Sequence, residues 1–173
     1  MRHLERITYI LLITVCIVSL AVLVKHGLLS TAGAGPGPAM DVQAHSLTGK
    51  NEPSVAATAW TGHQRNVVLL LSSQCHFCEE SLPLYQELSR LHQQSGDDFS
   101  LLAVGLETPE TLSKYLNHSK VSVDNVLQVP GGFAGIHFTP AVFIVDSHGA
   151  IQNAFLGKLD GTHEKQLLHS VKN

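Results

Sequence analysis

The sequence is poor in cysteine and in charged residues, and each shortage excludes a class of protein. Three cysteines among 173 residues are too few for a disulfide-rich scaffold. Only 14% of the residues are charged while 44% are hydrophobic, a balance that excludes intrinsic disorder as the main state. The sequence contains no internal repeat, which excludes solenoid architectures. It also has no basic stripe, so it does not predict binding of nucleic acid.

The N-terminal segment differs from the rest of the chain in charge and hydropathy. Residues 1–26 carry a net charge of +2, whereas residues 27–173 carry −5. Residues 7–24 form a run of 18 residues without a charged side chain, and as a helix this run spans about 27 Å, one hydrocarbon thickness. Arg2 and Arg6 precede it, and such a basic excess favours an N-in, C-out orientation. We therefore predict a single-pass anchor at residues 1–26 that contacts the lipid bilayer through residues 7–24.

A cleaved signal peptide is the alternative for the same segment. Ala-Gly-Ala at residues 32–34 resembles a cleavage site, although the apolar run is longer than a signal peptide needs. Both alternatives place residues 35–173 in the periplasm or another extracytoplasmic space. Residues 27–40 are uncharged and rich in Gly and Pro, which predicts a flexible linker to a domain at residues 41–173.

Strand and helix patterns alternate along this domain. The predicted strands are 66–72, 99–106, 121–129, 141–145 and 150–156, and the predicted helices are 76–94, 109–117 and 162–171. Pro83 predicts a kink in the first helix, and Thr108 followed by Pro109 predicts the start of the second. The turn at residues 146–149 makes the last two strands antiparallel. The order indicates an α/β domain in which a mixed central sheet carries helices on both faces.

The motif Cys75-His76-Phe77-Cys78 is the candidate chemical centre. It stands where a strand passes into a helix, and the helix N-terminus stabilises a thiolate at the first cysteine. A two-residue gap lets both sulfur atoms reach bonding distance, so the pair can cycle between dithiol and disulfide. Half of a zinc site is an alternative, but the sequence has no second Cys-x-x-Cys. We predict Cys75 and Cys78 as catalytic residues, with no cofactor beyond their redox-active disulfide and no bound metal.

Three side chains beside the cysteines are predicted to modulate them. An imidazolium at His76 would stabilise the Cys75 thiolate and make the disulfide more oxidising. Glu79, in the first helical turn, suits the helix dipole but opposes a nearby thiolate. Phe77 offers an apolar contact to a client protein or packs locally. The sequence leaves the balance of these effects open, and with it the direction of the redox reaction.

Residues 67–91 resemble the active-site strand and helix of the thioredoxin superfamily, because Pro83 follows Cys75 by eight residues as the helix-kinking proline of that superfamily does. Residues 135–141, Gly-Ile-His-Phe-Thr-Pro-Ala, resemble the loop that carries its cis-proline. The resemblance implies a thioredoxin-like fold with a mixed central sheet flanked by helices. It also implies a cis bond before Pro140, facing the cysteines, and a role for Thr139 and Pro140 in binding an extended client segment.

The closer resemblance is to TlpA/ResA-type membrane-anchored thioredoxins. It covers residues 41–170 and is carried by the N-terminal anchor, the 65-residue gap from Cys75 to Pro140 and the hairpin turn at 145–151. It implies a thiol-disulfide oxidoreductase that reduces client proteins, as in cytochrome c maturation, and that a membrane thiol donor re-reduces. The sequence departs from the superfamily at Gln74, where a tryptophan is usual, and at Leu69, where thioredoxin has a buried acid.

Other functions fit the same residues. A disulfide-forming oxidant of the same fold would use the same pair, and His76 favours it. A copper metallochaperone would bind Cu(I) through Cys75, Cys78 and His137, because soft thiolates suit this ion. Peroxide reduction would need a sulfenic acid at Cys75. A redox-inactive interaction domain is disfavoured by the intact cysteine pair.

Overall fold

The computed structural model describes residues 44, 46–51, 55, 60 and 62–172. The anchor predicted at residues 7–24, its signal-peptide alternative and the linker at 27–40 lie outside these residues. Within the described ranges, no helix has the length and apolar character needed to cross a membrane. The described residues belong to the domain predicted at 41–173.

A mixed sheet of five strands forms the centre of the described part. The strands are β1 (Arg65–Leu70), β2 (Ser100–Gly105), β3 (Asn125–Gln128), β4 (Ala141–Asp146) and β5 (Ile151–Leu156). Their order across the sheet is β3-β2-β1-β4-β5. β2 pairs in parallel with β1 and β3, whereas β4 runs antiparallel to β1 and β5. The mixed sheet and its antiparallel hairpin confirm the predicted fold class.

Four α-helices connect or follow these strands in the described part. They are α1 (His76–Glu80), α2 (Leu82–Ser95), α3 (Pro109–His118) and α4 (Gly161–Lys172). The helix predicted over 76–94 is interrupted at Ser81, because Pro83 near the start of α2 has no N–H to continue the helical ladder. This interruption confirms the predicted kink. Thr108 caps α3, as predicted, by accepting a hydrogen bond of 3.4 Å at Oγ1 from the Thr111 amide.

The apolar run of β1 explains why this strand lies at the centre. Val67, Val68, Leu69 and Leu70 are all buried, and alternate residues enter two different hydrophobic cores. Val67 and Leu69 face one core, and Val68 and Leu70 face the other, because successive side chains of a strand point to opposite faces. A strand with no polar face needs cover on both sides.

The three longer helices all lie on one face of the sheet. Leu88 of α2, Leu116 of α3 and Leu167 of α4 share the core that Val67 and Leu69 enter. The reason is topological. β1, β2 and β3 succeed one another across the sheet in a single direction, and right-handed crossovers then place both connecting helices on the same side. The prediction that helices cover both faces of the sheet is therefore wrong for the three longer helices, which all pack on one face.

N-terminal residues and a long loop cover the opposite face. Leu47, in a short helical stretch, and Trp60 pack there together with Phe133 and Ile136 of the loop before β4. The rings of Trp60 and Phe133 meet edge to face, with centroids 6.4 Å apart and an interplanar angle of 77°. Upstream residues of the domain thus complete the second core.

Candidate active site

Cys75 and Cys78 lie at the carboxyl end of β1, where the chain enters α1. Cys75 is the N-cap of this helix, and its Sγ accepts a hydrogen bond of 3.1 Å from the Cys78 amide. Both residues are free thiols. Cys75 is partly exposed, whereas Cys78 is fully buried one turn further on. This is the arrangement that the motif predicts, an accessible sulfur above a buried one.

Burial dominates the electrostatics of Cys78. Loss of hydration, followed by the hydrogen bond with Cys75, raises the pKa of its thiol to about 12. Hydrogen bonds from the Ser72 backbone and the Thr139 side chain act in the opposite direction, because they stabilise the thiolate. Cys78 is therefore a neutral thiol at physiological pH, held beside two groups that favour its ionised form.

The loop before β4 carries Thr139 and Pro140 to the cysteines. β4 lies antiparallel to β1, and Ala141 at its start is opposite Leu70 at the end of β1. The Thr139–Pro140 peptide bond is cis, as the resemblance implies. Pro140 is buried, and the partly exposed Thr139 reaches Cys78 through its side chain. The structure thus brings together the four residues that sequence reasoning named from two distant segments.

His76 has a partner that the sequence did not predict. Its Nε2 lies 3.1 Å from Oε1 of Glu80, one turn along α1. The other oxygen of Glu80 accepts a hydrogen bond of 2.6 Å from Nζ of Lys158, in the loop after β5, which holds the pKa of Glu80 below its usual value. His76 therefore faces a carboxylate that is already paired with a cation. Glu79 is exposed on the same helix.

Three large hydrophobic side chains are exposed in the described part, and all belong to the cysteine end of the sheet. They are Phe77 in α1, Leu106 directly after β2 and Phe138 directly before Thr139, with exposed fractions of 49%, 41% and 37%. β1 and β2 are parallel and β4 is antiparallel to β1, so the segments after β1 and β2 and the segment before β4 all lie at the same end of the strands. We call the three residues the apolar edge. Sequence reasoning named only Phe77.

Glu107 is a site residue that sequence reasoning missed. It follows β2 by two residues, and its Oε1 accepts a hydrogen bond of 2.6 Å from the Ser73 amide. Its Oε2 accepts a second one of 2.7 Å from the Ser73 hydroxyl. One carboxylate therefore uses both oxygens to hold a single residue of the segment that leads into Cys75.

Two tyrosines lie beneath the cysteine pair. Burial raises the pKa of Tyr85 above its usual value, with the charge of Cys78 as the next cause. Burial and then the charge of Cys78 raise the pKa of Tyr115 to about 12, and the side chain of Ser119 opposes this. Even so, Oη of Tyr115 is buried without a hydrogen-bond partner among the described residues. Leu69, at the position of the acid usual in thioredoxin, is fully buried.

Metal ligands are sparse around the cysteines. Among residues 62–172 and the few described before them, no group of three or more His, Cys, Asp and Glu side chains could hold a metal ion. His137 is exposed, and its Nδ1 lies over Gly132. The copper-binding alternative thus has two thiols in place without a third described ligand.

Comparison with known proteins identifies the fold. No protein-family model and no curated protein matches the sequence. A putative thiol:disulfide interchange protein DsbE from Chlorobium tepidum is similar in structure, with a TM-score of 0.52 and 19% identity over 72% of this chain and 93% of that chain. The thioredoxin domain of a thiol-disulfide oxidoreductase from Bacteroides vulgatus is also similar, with a TM-score of 0.54 and 17% identity over 73% of this chain and 98% of that chain.

A third similar structure has a lower sequence identity to this chain. It is a secreted Mycobacterium tuberculosis disulfide oxidoreductase homologous to Escherichia coli DsbE, with a TM-score of 0.51 and 12% identity over 66% of this chain and 84% of that chain. Similarity at these identities shows the fold alone. The resemblance in the sequence is confirmed at that level, and the described residues have a thioredoxin-like α/β fold.

Proposed function

We propose that this chain is an extracytoplasmic thiol-disulfide oxidoreductase that exchanges disulfides with client proteins. The observation that carries the proposal is the cysteine pair, with the partly exposed Cys75 sulfur at the start of α1 and the buried Cys78 thiol one turn on. The structural neighbours, which are named as a thiol:disulfide interchange protein and a disulfide oxidoreductase, support it.

The reaction begins at Cys75, the accessible sulfur. Its thiolate attacks a client disulfide, a new S–S bond forms, and the client's second sulfur leaves as a thiolate that takes a proton from water. Cys78 then loses its proton and attacks the Cys75 sulfur. The client departs with two thiols, and the protein holds a Cys75–Cys78 disulfide. Two electrons have passed from the protein to the client.

The second step requires Cys78 to ionise, and its surroundings bear directly on that requirement. A pKa of about 12 leaves very little thiolate at neutral pH. Hydrogen bonds from the Ser72 backbone and the Thr139 side chain favour the negative charge when it forms. Cys78 therefore stays inert until a mixed disulfide is in place beside it.

A client segment would bind across the cis-proline loop. The Thr139 side chain acts on Cys78, and the residues of the apolar edge belong to segments at the same end of the sheet as Cys75. An extended polypeptide with an apolar residue next to its cysteine would bury the apolar edge while the Thr139 backbone binds it. Phe77 is then a client contact, as one reading of the sequence expects.

We further propose that the anchor at residues 1–26 holds the domain at the outer side of a membrane in the N-in, C-out orientation. A reductant there needs electrons from a membrane thiol donor, because the resemblance implies client reduction in a compartment without a thiol pool. Client reduction of the kind needed for cytochrome c maturation follows the same resemblance. The opposite direction, disulfide formation, uses the same residues.

The reduction potential of the Cys75–Cys78 pair distinguishes the two directions. We would measure it on the full-length chain with Cys16 replaced by Ser, by equilibration against defined thiol buffers. A value near or below about −250 mV supports a reductant, and a value near about −120 mV indicates a disulfide-forming oxidant. In parallel, Cys78→Ser should accumulate mixed disulfides with an oxidised client, whereas Cys75→Ser should not. If insulin reduction is unchanged in Cys75→Ser, the proposed function is wrong.

A further inference from the structure

Both carboxylate oxygens of Glu107 accept hydrogen bonds from the same residue, Ser73. Oε1 accepts from the Ser73 backbone N–H at 2.6 Å, and Oε2 accepts from the Ser73 hydroxyl at 2.7 Å. The two residues are 34 positions apart and belong to the segments that follow β1 and β2. Short, charge-assisted hydrogen bonds of this kind are stronger than neutral ones. The contact therefore fixes the segment after β1 against the segment after β2.

Ser73 lies in the middle of the segment that connects β1 to the cysteines. On one side of it, the Ser72 carbonyl accepts a hydrogen bond of 3.2 Å from the Cys75 amide. The Ser72 hydroxyl accepts another, of 3.3 Å, from the Gln74 amide. A backbone hydrogen bond from Ser72 lowers the pKa of Cys78. Ser72 is therefore linked to both cysteines, and Ser73 links this segment to Glu107.

We propose that Glu107 is a positioning residue for the redox pair: by holding Ser73 it fixes residues 72–74, and through them the geometry in which Cys78 attacks Cys75. This inference rests on the proposed function, since it assigns a residue to the second step of that reaction. Glu107 acts through geometry and not through its charge. A carboxylate charge would oppose a thiolate, so a charge effect of Glu107 on Cys78 would act against the attack.

Two substitutions separate geometry from charge. Glu107→Ala removes both contacts. Glu107→Gln keeps both, because the amide oxygen can accept from the Ser73 N–H while the amide nitrogen donates to the Ser73 hydroxyl, which is both donor and acceptor. If the position of Ser73 is what matters, the second step should be retained with glutamine at position 107 and lost with alanine.

The test uses an aromatic disulfide, dithiobis(nitrobenzoate), and the full-length chain with Cys16→Ser. Attack by the Cys75 thiolate breaks the reagent's S–S bond and releases one coloured thiolate. Cys78 then loses its proton to solvent, attacks the Cys75 sulfur and releases the second. The second release reports the step that Glu107 is proposed to position, and it requires no client. Insulin reduction by the same protein reports the proposed function separately.

We expect the second release to slow by about tenfold or more in Glu107→Ala, because a small misplacement of reacting atoms costs up to about 10²-fold. In Glu107→Gln it should stay within about threefold of the parent, well inside that cost. Ser73→Ala retains the N–H contact, so its rate of second release should lie between those of Glu107→Ala and Glu107→Gln. This variant provides the test if Glu107→Ala does not fold. Glu110→Ala, an exposed acid in the first turn of α3, is the matched control.

Two results would overturn the inference. An unchanged second release in Glu107→Ala would show that the contact does not position the pair. An equal slowing in Glu107→Gln and Glu107→Ala would show that the charge matters and the geometry does not. Failure of the proposed function looks different, because the parent protein would then release both thiolates yet leave insulin oxidised.

Discussion

Two sulfur atoms within a single helical turn have unlike surroundings in this protein. Cys75 is the partly exposed N-cap of α1, while Cys78 is buried against the core that α2, α3 and α4 share. In the proposed disulfide exchange, this difference assigns them different tasks, one as the attacking group and the other as the resolving group. It also fixes how the pair responds to pH.

The reduction potential of the Cys75–Cys78 disulfide should become steadily more negative as the pH rises, far into the alkaline range. Cys78 retains its proton up to its pKa of about 12, so reduction of the disulfide takes up at least one proton for every two electrons below that pH. Rising pH then favours the oxidised form, and the potential should become more negative by at least about 30 mV per pH unit. Equilibration against dithiothreitol between pH 7 and 11 measures the slope. A potential that is constant above pH 9 would contradict the burial of Cys78.

Tyr115→Phe should stabilise the protein. Its hydroxyl is buried without a hydrogen-bond partner in the described part, so its removal takes away a desolvation cost and no bond. We expect the free energy of unfolding to rise by about 1 kcal/mol in a urea titration. A Tyr115→Phe variant that unfolds more easily would show that the hydroxyl has a partner.

The sequence named four residues that the structure brings together. The spacing of the Cys-x-x-Cys motif pointed to Cys75 and Cys78, whereas Thr139 and Pro140 came from the resemblance to the cis-proline loop of the thioredoxin superfamily. Glu107 could not be predicted, because its contact joins residues 34 positions apart and depends on the pairing of β1 with β2.

Lys158 was missed for the same reason, since its partner Glu80 is 78 positions away. The bond between them changes the expectation for His76. An imidazole predicted to act on Cys75 lies against a carboxylate that a distant lysine already neutralises. Charge effects of this kind depend on tertiary neighbours that a local motif does not contain.

At the scale of elements, the loop before β4 has a glycine at a position where any side chain would be strained. Gly132 has a φ of +80°, and a Cβ there would overlap the Ile136 carbonyl oxygen and lie 2.7 Å from Nδ1 of His137. The neighbouring Gly131 has open space where its Cβ would be. The two positions form a natural pair for a test of whether this loop must be held rigidly.

Gly132→Ala should lower the free energy of unfolding by about 1–3 kcal/mol, the usual cost of a strained backbone position. It should also slow disulfide exchange, because the loop holds Thr139 beside Cys78. Gly131→Ala should change neither quantity. Urea unfolding and insulin reduction measure the two effects. Equal behaviour of the two variants would mean that the loop adapts without consequence.

Most elements were predicted within a few residues of their bounds, because their apolar periodicity is strong. β3 is the exception. The prediction covers 121–129, and the strand occupies Asn125–Gln128. It lies at the edge of the sheet with half-buried side chains, so no continuous apolar run marks it. The placement of the longer helices on one face follows from strand order, which propensity alone does not reveal.

At the scale of the whole molecule, the sheet separates two cores with different tasks. One contains Cys78 and the three longer helices. The other contains no cysteine among the described residues and is closed by N-terminal residues around Trp60 and by the loop that includes Phe133. The buried cysteine and the N-terminal residues that cover the second core are thus on opposite sides of one sheet. The extracytoplasmic location and the anchor remain predictions from the sequence.

The position of Trp60 makes it a selective optical probe. It is the single tryptophan of the chain, it is buried in the core that faces away from Cys78, and Gln74 stands where a tryptophan would adjoin the first cysteine. Thiols and disulfides quench an indole only at short range. We therefore expect the emission spectrum of the oxidised and reduced proteins to coincide, and to shift when urea exposes the second core. Fluorescence would then report folding and thiol titration would report redox state, each undisturbed by the other in one cuvette.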